Sequence, residues 1–283
     1  MDAFFEFLKS ILMGIVQGIT EWLPISSTGH MLLLDQFIHM DVSEAFFNVF
    51  KVVVQLGSIL AVVVLYFHKL NPFSPQKTDG EKKQTLSLWG KVLIASIPAG
   101  IVGLLLDDWI DGISTGTVGA IVIAAALIIY GVLFIVMESR HRQPQIQSFQ
   151  DMRFRTALLI GVFQMLALIP GTSRSGSTIL GAVFLGCSRP VAAEFSFFMA
   201  IPVMVGASGW KLLKAFQEGI SFTTLEWGLL AVGFLVAFLV SLAVIKFLMA
   251  FIQKHDFKVF GYYRIVLGAL VLLYFLVIAP ALA

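Results

Sequence analysis

Six apolar runs, each roughly the 20 residues that a helix needs to cross the hydrocarbon of a bilayer, fall at about 44 to 68, 88 to 110, 117 to 138, 190 to 214, 225 to 248 and 262 to 281. A chain built this way has few structural solutions. Lipid offers backbone polar groups no partner, so each run must satisfy its own amides as a helix. A hydrophobic content of 58% against 13% charged residues and a mean hydropathy of +0.92 speak against a soluble domain. The expected class is all-α, a polytopic membrane protein surrounded by membrane lipid. Its net charge of +2 provides no field suited to nucleic acid. The single cysteine, Cys187, excludes an internal disulfide and a thiolate zinc cluster. The apolar N-terminal stretch carries Asp2 and Glu6 before Lys9, then Gln17, Thr20 and Glu21, which is the wrong charge order and too polar for a cleaved signal peptide.

Two more apolar stretches, about 3 to 23 and 155 to 169, stop at prolines. Ser/Thr/Gly clusters and short second runs follow, about 30 to 40 and 176 to 187. Each arm is too short to cross, and a pair of short arms around a polar break predicts a re-entrant helical hairpin. Irregular backbone at membrane depth survives only where protein or a wet cavity satisfies it. The expected architecture is thus six transmembrane helices plus two re-entrant helical hairpins. The alternative, arms that span fully, scatters the basic residues over both sides.

With both hairpins returning to the side they entered, three connections share one face. They hold Lys69, Lys77, Lys82, Lys83 and Lys91, then Arg140, Arg142, Arg153 and Arg155, then Lys246, Lys254, Lys258 and Arg264, thirteen of the nineteen basic side chains. The opposite face holds Lys9, Lys211 and Lys214 and an acidic loop, Asp107, Asp108 and Asp111. The positive-inside rule then predicts a cytoplasmic-membrane protein with both termini outside.

A shift of 147 positions lays Gly14, Gln17, Ser26 and Gly29 over Gly161, Gln164, Ser173 and Gly176, with Thr28 over Ser175. Three crossings separate the hairpins, an odd number, so the copies are expected to be inverted halves, about 1–138 and 155–283, of a single membrane domain, 1–283. Inverted repeats with broken helices bring their polar tips together near the midplane.

Several residues at those tips suit chemistry. Gln17 and Glu21 are four apart and share a helical face with Gly14 and Gly18, whose small size suits close helix packing or a homodimer. An ionisable residue inside an apolar hairpin, such as Glu21, is a functional candidate. His30 alone of five histidines lies within a membrane-depth motif, beside Ser26, Ser27 and Thr28, of which Thr28 could instead simply cap the second arm. The second loop, Gly171-Thr-Ser173-Arg174-Ser175-Gly176-Ser177, reads as an anion cradle of converging amides, a helix start and a forked guanidinium. A fixed ion pair between Arg174 and Glu21 or Glu194 is the structural alternative. Under the shift Glu21 falls on Leu168, Ser27 on Arg174 and His30 on Ser177, so the first loop carries acid and imidazole and the second carries the cation. A phosphate ester or diphosphate brings about two to three negative charges, more than Arg174 alone offsets beside an ionised Glu21. A divalent cation, Mg2+ or Ca2+, would supply the remainder, with Glu21 either its ligand or a base.

At these residues the chain closely resembles the undecaprenyl-pyrophosphate phosphatase family of bacterial integral-membrane enzymes linked to bacitracin resistance. The resemblance is carried by Gln17-Gly-Ile-Thr-Glu21, Pro24-Ile-Ser-Ser-Thr-Gly-His30 and Pro170-Gly-Thr-Ser-Arg-Ser-Gly176, supported by Gln55-Leu-Gly-Ser and Ala193-Glu-Phe-Ser-Phe. It implies removal of the terminal phosphate of a C55 polyprenyl diphosphate, a lipid partner, and a divalent-metal requirement. It also implies catalytic places for Glu21, Ser27, His30 and Arg174, with Gln17 where many members carry a second glutamate. Gln17, Ser26, Thr28, Ser173, Ser175 and Gly176 are the expected phosphate-binding group. Two rival readings fit less well. A phosphatidic-acid-type phosphatase needs a further histidine soon after the arginine, and none follows Arg174 until His255. A lipid transporter shares the symmetry but gives no reason for the unequal loops.

Overall fold

The computed structural model describes residues 3–106, 109, 116–140 and 143–279; the acidic loop with Asp107, Asp108 and Asp111, Arg142, and the side chain of Thr28 lie outside the described residues. Within them the chain is helical, with one isolated bridge between Ile146 and Cys187. The order is α1 Ala3–Thr20, α2 Ser27–Phe37, α3 Glu44–Leu65, α4 Phe67–Leu70, α5 Asp79–Leu105, α6 Gly116–Ser139, α7 Phe154–Met165, α8 Arg174–Phe184, α9 Arg189–Gln217, α10 Thr224–Lys254 and α11 Lys258–Leu273. Within the described residues the apolar runs are helical, and the differences are at the ends. Helix α5 starts well before its apolar run because Thr78 and Glu81 close a capping box, the Thr78 amide donating to the Glu81 carboxylate at 2.7 Å and the Glu81 amide to Thr78 Oγ1 at 3.3 Å. Thr223 and Glu226 start α10 in the same way.

Both hairpins close at their bases. Lys9 Nζ donates to the His39 carbonyl at 2.6 Å and the Asp41 amide to Glu6 Oε2 at 3.1 Å, so the chain leaving α2 returns to the start of α1. At the second hairpin the Gln145 and Ile146 amides both donate to the Gly186 carbonyl at 2.9 Å, joining the residues before α7 to those after α8. Among the described residues seven helices are long and apolar enough to cross a membrane, one more than the sequence pattern gives, and the additional one is α1. Its 18 residues reach about 27 Å at 1.5 Å per residue, because the helix runs on through Gln17 to Thr20 before it breaks.

Small residues set the helix spacing. A Cβ on Gly131 of α6 would stand 2.7 Å from the Gly261 carbonyl oxygen of α11, and one on Gly261 would stand 2.7 Å from that of Gly131. Gly14 and Gly18 face α10, where added Cβ atoms would lie 2.8 Å from the Gly233 carbonyl and 2.8 Å from Val240 Cβ. Their packing is therefore intramolecular, and a homodimer would have to bury another face. On α7, Gly161 takes the corresponding place against α5, 2.2 Å from the Ala95 carbonyl.

The polarity is that of a protein in lipid. Leu105, Val118, Val205, Val266 and Val277 face outward, while Gln17, Ser58, Gln164, Ser177, Thr178 and Ser196 are buried. Arg264 requires a correction. Its place near the end of an apolar run suggests a connection, but it lies on α11 and is 0% exposed. Lys91 likewise belongs to α5 and donates to the Phe149 carbonyl at 2.7 Å.

Candidate active site

Helix α1 ends because Pro24 has no amide hydrogen and keeps the residue before it out of the helical region. Five residues of turn, Glu21 to Ile25, then lead to Ser26. On the other hairpin α7 tightens into a 3-10 turn at Leu166–Leu168 before Pro170, and Ser173 precedes α8. Among the described residues Ser26 and Ser173 are the two non-glycine positions at positive φ, each at 73°. Such a conformation costs about 1–3 kcal/mol, and it is commonly kept where a site needs it. Here it turns each serine into an N-cap. Ser26 Oγ accepts from the Gly29 amide at 3.3 Å, and Ser173 Oγ accepts from the Gly176 amide at 3.1 Å. Ser27 and Thr28 are therefore inside α2, and Ser27 Oγ is released for another partner.

That partner is Glu21. The buried carboxylate accepts from Gln17 Nε2 at 2.8 Å and Ser27 Oγ at 3.3 Å through Oε2, and from Arg174 Nη2 at 3.1 Å through Oε1. Gln17 thus gives the acid a donor where a second glutamate would repel it. Arg174 also donates from Nη1 to the Ser196 carbonyl at 2.7 Å and lies 5.7 Å over the Trp22 ring. Its Nε has no partner among the described residues. A guanidinium has five N–H donors, so Arg174 keeps donors for an anion without giving up Glu21. Ser175 ties the loops together, its Oγ 3.2 Å from both the Glu21 and Leu23 carbonyls and 3.1 Å from Ser173 Oγ.

Glu21, Ser27, Gln17, Ser26, Arg174, Ser173, Ser175 and Gly176 are therefore gathered in one place. His30 is turned elsewhere. Its Nδ1 is 2.7 Å from the Ser26 carbonyl and its Nε2 is 2.6 Å from the Tyr263 hydroxyl, so neither ring nitrogen meets Ser27.

Two residues important to the site escape sequence reasoning. Arg264 reaches both loops, donating from Nη1 to the Pro24 carbonyl at 3.0 Å and from Nη2 to the Gly171 and Thr172 carbonyls at 3.0 and 2.8 Å. Pro24 and Gly171 are 147 positions apart, so one guanidinium holds equivalent carbonyls of both loops. Its charge lies 5.4 Å from the Tyr130 ring, and Tyr130 in turn is 3.3 Å from Ser177 Oγ. No carboxylate among the described residues pairs with it. The signal was a lone arginine inside an otherwise apolar helix, which a count of loop charges hides. Tyr263 has no comparable signal.

Among the described residues no three His, Cys, Asp or Glu side chains lie together as a metal-binding group. Glu21 is the one acid at the loops, and both its oxygens already accept hydrogen bonds. The donor set does not form an all-protein cage. It suits a cation that brings most of its oxygen ligands with it, as Mg2+ does on phosphates and water.

An open cavity of about 620 Å³ lies away from the loops beside Glu138, Arg189 and Cys187. Its carboxylate is already held, by Arg189 Nε at 2.9 Å and by the Phe257 amide at 3.2 Å, so it offers no comparable free chemistry.

Fold and site together define a polytopic helical membrane protein with an acid, a hydroxyl and a guanidinium enclosed between two helical hairpins. The chain belongs to the family described as bacitracin resistance protein BacA, whose model matches residues 10–270. It is 58% identical over 270 residues to undecaprenyl-diphosphatase 1 of Clostridioides difficile, covering 95% of this chain and 96% of that protein. The undecaprenyl-diphosphatase of Acetivibrio thermocellus is 55% identical over 275 residues, 96% of this chain and 99% of that protein. That of Enterococcus faecalis strain V583 is 52% identical over 270 residues, 95% and 97%.

Proposed function

We propose that the chain is an undecaprenyl-diphosphatase, a membrane hydrolase that removes the terminal phosphate of undecaprenyl diphosphate and returns the monophosphate carrier to cell-wall synthesis, so conferring bacitracin resistance. The observation that carries the reading is the contact of Glu21 with both Ser27 and Arg174 across the two loops. Near-full-length identity of 52–58% to proteins named undecaprenyl-diphosphatase supports the substrate.

Ser27 is the nucleophile. Its Oγ forms a bond to the terminal phosphorus as the bond from that phosphorus to the bridging oxygen breaks, and the Ser27 proton passes to Glu21 Oε2. Undecaprenyl monophosphate leaves. Water then attacks the phosphoserine, the Oγ–P bond breaks, and inorganic phosphate departs as Ser27 recovers a proton. Arg174 holds the terminal phosphate through its spare N–H groups, and the N-termini of α2 and α8 add the positive ends of their dipoles. Arg264 supplies a second cation behind the loops, so the charge of the diphosphate is not left to Arg174 alone. A divalent cation, Mg2+ or Ca2+, fits as a substrate-borne ion with Glu21 its one protein ligand, and would polarise the phosphoryl group. The prenyl tail stays in lipid between the helices.

The two halves are read as an inverted repeat. This is supported by matching φ angles and caps at Ser26 and Ser173, by capping boxes on both α5 and α10, and by the alternation of α1 on α10 with α7 on α5. With the lysine- and arginine-bearing connections inside, both termini lie outside.

Phosphate release from undecaprenyl diphosphate by the purified protein tests the reading. Wild-type protein releases it, and Glu21→Ala and Arg174→Ala each lower kcat by about a thousandfold or more, the scale of losing a positioned charge in a closed site. Intact release by either variant would place the chemistry elsewhere.

A further inference from the structure

The hydrogen bonds of His30 determine how it can take part in a reaction. A carbonyl oxygen only accepts, so the 2.7 Å contact with the Ser26 carbonyl puts a proton on Nδ1. In the neutral ring Nε2 is then the basic atom, and it lies 2.6 Å from the Tyr263 hydroxyl, which must donate to it. The rings are parallel within 4° with centroids 5.6 Å apart. Both nitrogens are therefore engaged, and His30 has no lone pair free for Ser27 or for a water. Tyr263 is 45% exposed, and Arg264 beside it pins this turn of α11 to both loops. The ionisable side chains near the loops on elements adjoining α2 are Glu21, Tyr130, Tyr263 and Arg264. Of these the Tyr263 hydroxyl is the one that touches the ring.

We propose that Tyr263 is the proton-relay partner of His30, the group through which the imidazole acts on water during hydrolysis of the phosphoserine. The inference rests on the phosphatase reading above. As water attacks phosphorus, its proton passes to the Tyr263 oxygen while the Tyr263 proton passes to His30 Nε2. The O–P bond to water forms, the Ser27 Oγ–P bond breaks, and the products are inorganic phosphate, a neutral phenol and an imidazolium held by the Ser26 carbonyl at Nδ1. Ser27 regains the proton that Glu21 took in the first step, and His30 returns its proton to solvent through the same phenol. The two steps thus use different bases, Glu21 for the serine and the Tyr263–His30 pair for the water. This assigns a task to a histidine that the fold keeps away from the nucleophile.

The test is Tyr263→Phe, which keeps the stacked ring and removes only the hydroxyl, with Tyr262→Phe on the exposed neighbouring phenol as control. Steady-state kcat on undecaprenyl diphosphate is expected to fall about 10- to 100-fold, with the pH–rate limb belonging to His30 displaced and phosphoenzyme accumulating in quenched reactions. His30→Gln combined with Tyr263→Phe should be no slower than His30→Gln alone, because residues acting as a unit are not additive. Wild-type kcat in Tyr263→Phe with an unmoved pH profile would overturn the relay, as would losses that multiply in the double variant. A drop in kcat with no phosphoenzyme and an unchanged profile would overturn it too, showing a structural phenol. None of these results touches the Glu21 and Arg174 experiment, so the relay and the phosphatase reading fail separately. In 15N-histidine-labelled wild-type protein the Nδ1-H tautomer of His30 should be seen directly, and an Nε2-H tautomer would also overturn the relay.

Discussion

The first and second loops share one frame and carry different equipment. Ser26 and Ser173 adopt the same φ of 73° and cap their helices through the same i+3 amide. Arg264 holds Pro24 and Gly171, the equivalent carbonyls, with equal 3.0 Å bonds. On that frame the first loop places Glu21, Ser27 and His30 where the second places Leu168, Arg174 and Ser177. The glutamines show the difference most clearly. Gln17 donates to Glu21 at 2.8 Å, whereas its equivalent Gln164 is 1% exposed and neither end of its amide has a partner among the described residues, since Leu168 stands where the acid would be. One backbone frame can therefore carry two different sets of side chains, because backbone geometry and side-chain chemistry depend on different positions. Neither copy holds a complete site: the acid of one is neutralised by the arginine of the other.

The strongest way to break this comparison is to separate the charges. With Glu21 and Arg174 both largely buried, Arg174→Met should destabilise the protein by about 3–5 kcal/mol, the cost of leaving one charge of a buried pair behind. Glu21→Gln combined with Arg174→Met should recover most of that loss. Chemical unfolding in detergent micelles measures both, and a double variant as unstable as the single one would mean that the loops do not depend on one another through this pair.

The glutamines give a smaller effect of opposite sign. Gln164→Leu removes two unsatisfied buried groups and should stabilise the protein by about 1–2 kcal/mol without changing kcat, while Gln17→Leu takes a donor from Glu21 and should lower kcat about tenfold. Equal responses would show that the two positions have not diverged. The smallest effect tests the shared frame. Ser26→Gly and Ser173→Gly each relieve the positive φ and lose a cap, so both should shift stability by no more than about 1 kcal/mol and by the same amount. Thermal melts of the two variants side by side check this, and a clear difference between them would mean that the frame is not common.

Much of the architecture is legible in residue order. Apolar runs of membrane length must be helices in lipid, and prolines followed by Ser/Thr/Gly clusters must break them, so the helices and both hairpins follow from local pattern. Ser26, Ser27, Ser173, Arg174 and Ser175 are legible because polar residues inside apolar sequence are costly unless used. The partners of those residues are not legible. His30 stands beside Ser27 in sequence, which suggests that the two act together, but one turn of helix aims its ring at the Ser26 carbonyl and at Tyr263, 233 residues away. Arg264 near a span boundary looks like one more loop charge, when its guanidinium in fact lies between the loops.

The sequence by itself determined that this is a helical membrane protein with two interrupted helices and an acid, hydroxyls and a cation at the interruptions. Hydrophobic periodicity, proline and the cost of polar groups in lipid are local properties, and local properties are written in order along the chain. Only the tertiary structure decided that Glu21 accepts a hydrogen bond from Ser27, that Arg174 pairs with Glu21, and that α11 brings Tyr263 to His30 and Arg264 to Gly171, 233 and 93 residues away. Those contacts follow from how helices pack across small residues such as Gly131 and Gly261, and a one-dimensional pattern carries no record of which helix lies against which.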